Sequence, residues 1–174
     1  MPTLACPIPS ALNPATANGF MLGITKLPNF TYWCQEANVP GITLPPINTY
    51  SPLSVVPVPG DVPSFDDFNV TFLITEDFSN YKAVFDWMIG LGFPERSQQY
   101  TSWINKQKGY GDLAKGYSDG FLQVLSPLNN ISKTLRFYDM YPTRLEQIQL
   151  STKFSDVVYL AGTVTFAYNY FLIE

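Results

Sequence analysis

The sequence predicts a mainly β, single-domain fold with one flanking helix and a long, extended, proline-rich loop. Three observations predict it. Aromatic residues make up 16% of the 174-residue chain, mostly Phe and Tyr, and these side chains suit a pleated, half-buried surface. Strict apolar–polar alternation recurs along the chain, the signature of strands whose successive side chains face opposite ways. Only one segment has helical spacing. The length is that of about one domain, enough to bury a core without disulfides or metals.

The elements follow in chain order. Residues 1–19 are rich in Pro, Ala and Asn and lack a period, so they read as an extended arm that orders by docking. Residues 20–174 form the domain. Phe20-Met21-Leu22-Gly23-Ile24 reads as a short strand, and Pro28-Asn29 as a turn. Phe30, Tyr32 and Cys34 alternate with Thr31, Trp33 and Gln35, which predicts a strand ending near Asn38.

Seven prolines then fall between residues 39 and 63, with β-formers such as Ile42, Tyr50, Val55, Val56 and Val58 among them. Proline is confined to edges and loops, so residues 40–63 read as an extended, hairpin-like loop with polyproline character. A loop of this length in a compact domain usually serves function. Phe65 to Thr75 is the clearest strand, with Phe68, Val70, Phe72 and Ile74 on one face and Asp67, Asn69, Thr71 and Thr75 on the other.

The helix follows. Asp77 or Ser79 is placed to cap it, Val84, Phe85, Met88 and Ile89 form its apolar stripe, and Gly90, Gly92 and Pro94 end it. Residues 95–120 carry Tyr100, Trp103, Tyr110 and Tyr117 among Lys106, Lys108 and Lys115. Such a stretch suits base stacking, but Glu95, Asp112 and Asp119 balance the lysines, and a surface insert whose aromatics dock on the protein is the simpler reading.

The last third predicts strands at Phe121–Leu125, Thr134–Met140 and Ile148–Leu150, with turns at 127–130 and at Tyr141-Pro142-Thr143. A long terminal strand closes the chain. In it Val164, Phe166, Tyr168, Tyr170 and Leu172 share one face, and Thr163, Thr165, Ala167, Asn169 and Phe171 the other. This alternation, rather than the absence of charge from Val157 to Ile173, sets its class: a strand and not a membrane span.

Composition excludes several function classes. Charged residues are only 14% of the chain, against about 25% in typical soluble domains, which points to apolar surface covered by partners. The net charge of −4 lacks the basic footprint of a DNA reader. No histidine is present, which removes Ser-His-Asp and Cys-His nucleophile systems and the commonest metal ligand. Cys6 and Cys34 alone cannot build a zinc site of the usual kinds, and both are read as reduced thiols of a protein made in a cytoplasm. The start of the chain has neither the basic region nor the apolar core of a leader. Asp66 and Asp67 are neighbours in a strand and point to opposite faces, so they do not form a catalytic pair. The chain reads as a non-enzyme with no cofactor and no metal.

Three stretches, in this order, resemble the tail tube family of contractile-tailed bacteriophages. The first is the aromatic strand from Phe30 to Asn38 breaking at Val39-Pro40-Gly41-Ile42 into a long loop. The second is Pro59-Gly60-Asp61 followed by Phe65-Asp66-Asp67-Phe68-Asn69-Val70-Thr71-Phe72 and a helix carrying Phe85-Asp86-Trp87. The third is Met140-Tyr141-Pro142-Thr143, then Ile148-Gln149-Leu150, then Val164 to Tyr170. The resemblance covers most of residues 20–174. The arm at 1–19 and the insert at 95–120 depart from it and leave open a baseplate relative such as a tube initiator.

The resemblance implies an antiparallel β-sandwich or barrel, with six copies closing a ring whose inner sheets join around a lumen, and rings stacking head to tail. It implies a virion tube assembled in the host bacterial cytoplasm. Its partners are other copies of itself, sheath subunits, baseplate and tail terminator proteins and transient phage DNA, with no membrane. The loop at 40–63 is then inter-subunit surface, with Val39, Pro40, Gly41, Ile42, Tyr50, Val55, Val56 and Pro59 as interface candidates. Lumen candidates are Asn69, Thr71 and Thr75, or Thr163, Thr165 and Asn169; a solvated outer face is the alternative for each. Rival readings are a pyocin- or secretion-type tube that carries protein, and a β-barrel sugar-binding module with Trp33, Trp87 and Trp103 as stacking platforms. A histidine-free enzyme ranks below both.

Overall fold

In chain order the elements are β1 (Phe20–Ile24), α1 (Phe30–Trp33), β2 (Cys34–Ala37), β3 (Ile42–Thr43), β4 (Pro46–Tyr50), β5 (Val55–Pro59), β6 (Ser64–Phe65), β7 (Phe68–Leu73), α2 (Ser79–Gly92), β8 (Ser118–Leu125), β9 (Ile131–Leu145), β10 (Ala161–Ala167) and β11 (Tyr170–Ile173). They are seen in a computed structural model that describes residues 17–50, 53–92, 98, 101, 116–151, 153 and 159–174. Residues 1–16 of the arm, including Cys6, and most of the insert, including Trp103 and its lysines, lie outside the described residues.

The alternation in β7 becomes burial on one side: Phe68, Val70 and Phe72 are fully enclosed while Asn69 stays exposed. Each such side chain contributes about 1.5–3 kcal/mol. All pairings are antiparallel, in the order β1-β8-β9-β10-β7-β2, with β11 also on β9. The sheet bends so that its two halves face each other. Phe68 of β7 stacks on Phe137 of β9 at 4.5 Å between ring centres, and Phe171 of β11 lies 5.7 Å from Phe137.

The bend has a local cause. β9 pairs with β8 and β11 through its N-terminal stretch and with β10 through its last residues. At Asp139 the backbone enters the left-handed region (φ 54°), an extra-residue kink of the bulge type. Its inward side chains switch from Leu135 and Phe137 to Met140 and Pro142. The neighbouring strand breaks alongside, at Tyr168-Asn169, and its inward residues switch from Val164 and Phe166 to Phe171. Asn169 fixes the corner by donating from Nδ2 to Asp139 Oδ2 at 2.7 Å and from its backbone N–H to the Tyr138 carbonyl.

This corner corrects two expectations. Tyr141-Pro142-Thr143 is not a turn but belongs to β9, and the terminal strand is two strands of opposite phase, with Tyr170 and Leu172 exposed and Phe171 buried. Residues 148–150 form no strand. The segment from Phe30 also begins as a helical turn, not a strand. Leu27 and Phe30, three residues apart, are both buried, and Phe30 sits 4.4 Å from Phe72; that spacing suits a helix turn, and only Cys34–Ala37 continues as strand. The described elements therefore include a second, short helix, α1, beside the one expected.

In α2 the buried face is Asn80, Val84, Trp87 and Gly90, while Phe85 is exposed. The predicted stripe is rotated because Trp87 docks on Phe166 of β10 and donates its ring N–H to the Gly116 carbonyl at 3.0 Å. Asp77 accepts from the Ser79 N–H as expected of a cap. The unforeseen anchor is Asn80. Its Oδ1 accepts from the backbone N–H groups of Thr75 and Tyr81, and its Nδ2 donates to the Leu73 carbonyl at 2.7 Å. Asn80→Ala strands these groups, and about 2–3 kcal/mol of stability should go with them; urea unfolding measures it, and a loss below about 1 kcal/mol sinks the anchor role.

Candidate assembly surfaces

Two surfaces stand out, and β-strand geometry builds both. The first is the proline-rich segment, which forms a true ladder rather than a polyproline loop. β4 pairs with β5 from Pro46–Pro59 to Tyr50–Val55, and β3 pairs with β6 at the root. Every residue of β4 and β5 is exposed. Opposed residues share a face, so Ile47, Thr49, Val56 and Val58 lie on one side, and Asn48, Tyr50, Val55 and three prolines on the other. Tyr50 is 81% exposed and Leu53, beyond it, 96%. A two-stranded ribbon alone is marginal in water. At its base the Gly41 carbonyl accepts from the Asp66 N–H, and a Cβ on Gly60 would run into the Pro45 carbonyl oxygen.

Of the interface candidates, Val39, Gly41, Ile42, Tyr50, Val55, Val56 and Pro59 are exposed on or beside this hairpin. Pro40 is not: it is buried at the junction with the domain, where a rigid ring suits a chain leaving a strand. Ile47, Val58 and Leu44 belong to the same surface without having been among the candidates, although their alternation with prolines was the available signal.

The second surface is the polar side of β7 and β10. The two alternative sets of lumen candidates merge, over four residues, into a single face. Thr71 stands opposite Thr163 with hydroxyl oxygens 3.5 Å apart, and Thr165 donates to Asn69 Oδ1 at 2.8 Å. Asn38 extends the row, its Oδ1 accepting from the Asn69 N–H. Register adds Glu36 opposite Thr71 and Arg144 opposite Thr165. The strand face is thus hydroxyl- and amide-rich, with one acid and one base. Thr75 and Asn169 do not join it. Thr75 bonds to Ser79 and Asn80 at the start of α2, and Asn169 holds the β9 corner. Both strands bend or end before reaching those positions.

Titrating groups around these surfaces serve structure. Burial pushes the Cys34 thiol up to about 11, which keeps it protonated. Tyr168 donates to the Asp66 carbonyl at 2.7 Å and so ties the corner to the hairpin root. Burial, then the Asp66 and Asp67 carboxylates, push its phenol up to about 12. The folded chain therefore holds this proton where the unfolded chain, at the usual value of about 10, has lost it. The stabilisation from Tyr168 is complete below about pH 10 and should disappear between about pH 10 and 12. Thermal melts of the wild type against Tyr168→Phe check it; a gap unchanged to about pH 12 refutes it.

Among the described residues no group of three or more Cys, Asp or Glu stands together to hold a metal ion, and no helix is long and apolar enough to cross a membrane. Trp87 is buried with its N–H bonded, so it offers no platform for a sugar.

No protein-family model matches the chain, and no curated protein does. Solved structures do. A chain of the anti-feeding prophage baseplate, 6-fold symmetrised, aligns with a TM-score of 0.60 at 11% identity, over 94% of this chain and 97% of that one. A chain of the sheath/tube terminator of the PVC extracellular contractile injection system aligns at 0.58 and 11% identity, over 94% and 99%. A chain of the PVC sheath-tube complex aligns at 0.55 and 11% identity, over 92% and 91%. The chain therefore shares its mainly β fold with chains of these baseplate, sheath/tube terminator and sheath-tube structures.

Proposed function

We propose that this chain is a structural, non-catalytic subunit of the tail tube of a contractile particle, assembling as stacked, sixfold rings around a lumen. The observation that carries the proposal is the β4–β5 hairpin, apolar on both faces and uncovered. Such a ribbon gains stability only when neighbours bury it. In this reading it reaches an adjoining ring, with Val39, Gly41, Ile42, Tyr50, Val55, Val56 and Pro59 at the contact.

Among the described residues, the half of the sheet made by β2, β7, β10 and the end of β9 has two unpaired margins: β2 pairs only with β7, and Tyr141–Leu145 only with β10. Joining one to the other between copies closes a ring and leaves no exposed edge. The face with Asn69, Thr71, Thr163 and Thr165 then lines the lumen. Its hydroxyls and amides, with the one base Arg144 offset by the one acid Glu36, carry no excess of cations that would hold phosphates, which suits DNA passing through on ejection. Sheath, baseplate and terminator proteins are the further partners, in a phage particle assembled in the bacterial cytoplasm. A tube-initiator role, or an injection-system tube carrying protein, is the second reading, favoured by the likeness to chains of the PVC structures.

Negative-stain electron microscopy across concentration tests the proposal. Rings or hollow tubes are expected. A chain that stays monomeric at millimolar concentration overturns it and returns the question to a sugar-binding module.

A further inference from the structure

We infer that the β4–β5 hairpin is received by a second copy of this chain through strand addition at its β4 edge, its β5 edge being closed by proline. This rests on the assembly reading above and adds a direction to it. The register carries the inference. Pro46 stands opposite Pro59, and Asn48 opposite Pro57. Proline has no N–H, so neither pair exchanges ladder hydrogen bonds. Bonded and non-bonded pairs alternate in an antiparallel ladder. The bonded pairs are therefore Ile47–Val58 and Thr49–Val56, and the residues between them aim their N–H and C=O groups outward.

The outward positions differ between the two edges. On β5 they are Val55, Pro57 and Pro59; on β4 they are Pro46, Asn48 and Tyr50. Along β5 a pairing strand meets two pyrrolidine rings and one donor. Along β4 it meets consecutive donors at Asn48 and Tyr50, about 6.8 Å apart, the repeat of an antiparallel ladder. Proline on an edge is a device that blocks pairing, and here it blocks one side only.

The occupant is a second copy for three reasons. The hairpin grows from the β2–β7 margin that the ring contact uses. Residues 39–63 contain a single charged residue, Asp61, which does not match a nucleic acid or a highly charged segment. The chain itself supplies strands that, among the described residues, are paired on one side only, β1 on β8 and β11 on β9.

The test compares Asn48→Pro, Val55→Pro and Asn48→Ala in the full chain by sedimentation velocity and electron microscopy, with thermal melts as the check on folding. Both prolines enter non-bonded pairs, so neither removes a bond within the hairpin. Asn48→Pro should raise the concentration needed for assembly about tenfold or more, while Val55→Pro and Asn48→Ala stay within about threefold of the wild type. Hydrogen exchange on wild-type assemblies gives a readout without mutation: the Asn48 and Tyr50 amides slow on assembly and the Val55 amide does not. Equal behaviour of the two proline variants, or an unprotected Asn48 amide in assembled wild type, overturns the inference and leaves the tube reading standing. A wild type that never assembles overturns both.

Discussion

Phe137→Ala should destabilise the chain by about 4 kcal/mol, the middle of the range for a large buried aromatic. Phe137 is fully enclosed and lies at the meeting of both halves of the sheet. It stacks on Phe68 at 4.5 Å, and its ring centre lies 5.1 Å from Tyr168 and 5.7 Å from Phe171. Truncation removes the apolar transfer free energy and leaves a void that β7, β9, β10 and β11 cannot close together, because each is pinned by its ladder. For a chain of this size the melting temperature should fall by roughly 8–16 °C. Denaturant unfolding reads the loss directly. A change below about 1.5 kcal/mol would mean that the two halves do not share one core.

Val58→Glu should leave folding intact and abolish assembly. Val58 sits on the exposed hairpin opposite Ile47, 44% exposed and outside the domain core, so its substitution costs the monomer little. In the proposed ring the same position is covered, and an unpaired carboxylate there would cost several kcal/mol. At about 1.4 kcal/mol per decade, the concentration needed for assembly should rise by about a hundredfold or more. Sedimentation velocity with a parallel thermal melt separates the two effects. Normal assembly by the variant would place the hairpin outside the contact. A lowered melting temperature would show instead that the hairpin stabilises the monomer.

The strands were legible wherever one face is buried along a straight ladder. β7 is the clear case, since alternation of Phe68, Val70 and Phe72 with Asn69 and Thr71 allows one orientation only. The same logic marked Thr71 and Thr163, each in its own strand, as the solvent-side neighbour of buried residues; the pairing of β7 with β10 is what sets them opposite each other. It failed at the corner. Period two carried across Tyr168-Asn169 assigns Tyr170 and Leu172 inward, yet the paired breaks at Asp139 and Asn169 reverse the phase and put Phe171 in the core. Nothing local marks that reversal, since it exists only because two distant strands kink together. The rotated face of α2 failed for a related reason. Trp87 and Asn80 are buried by what they meet, Phe166 and the end of β7, and not by the helix's own spacing.

By itself the sequence determined the mainly β class, the place of the long helix, the exclusion of histidine chemistry and the presence of an exposed, charge-poor, proline-rich extension. Each of these depends on composition or on contacts between near neighbours. Only the tertiary structure decided the sheet order, the folded corner, the merger of two polar rows into one face and the single open edge of the hairpin. Those depend on pairing between residues as far apart as Thr71 and Thr163, and backbone register is set by the pairing itself.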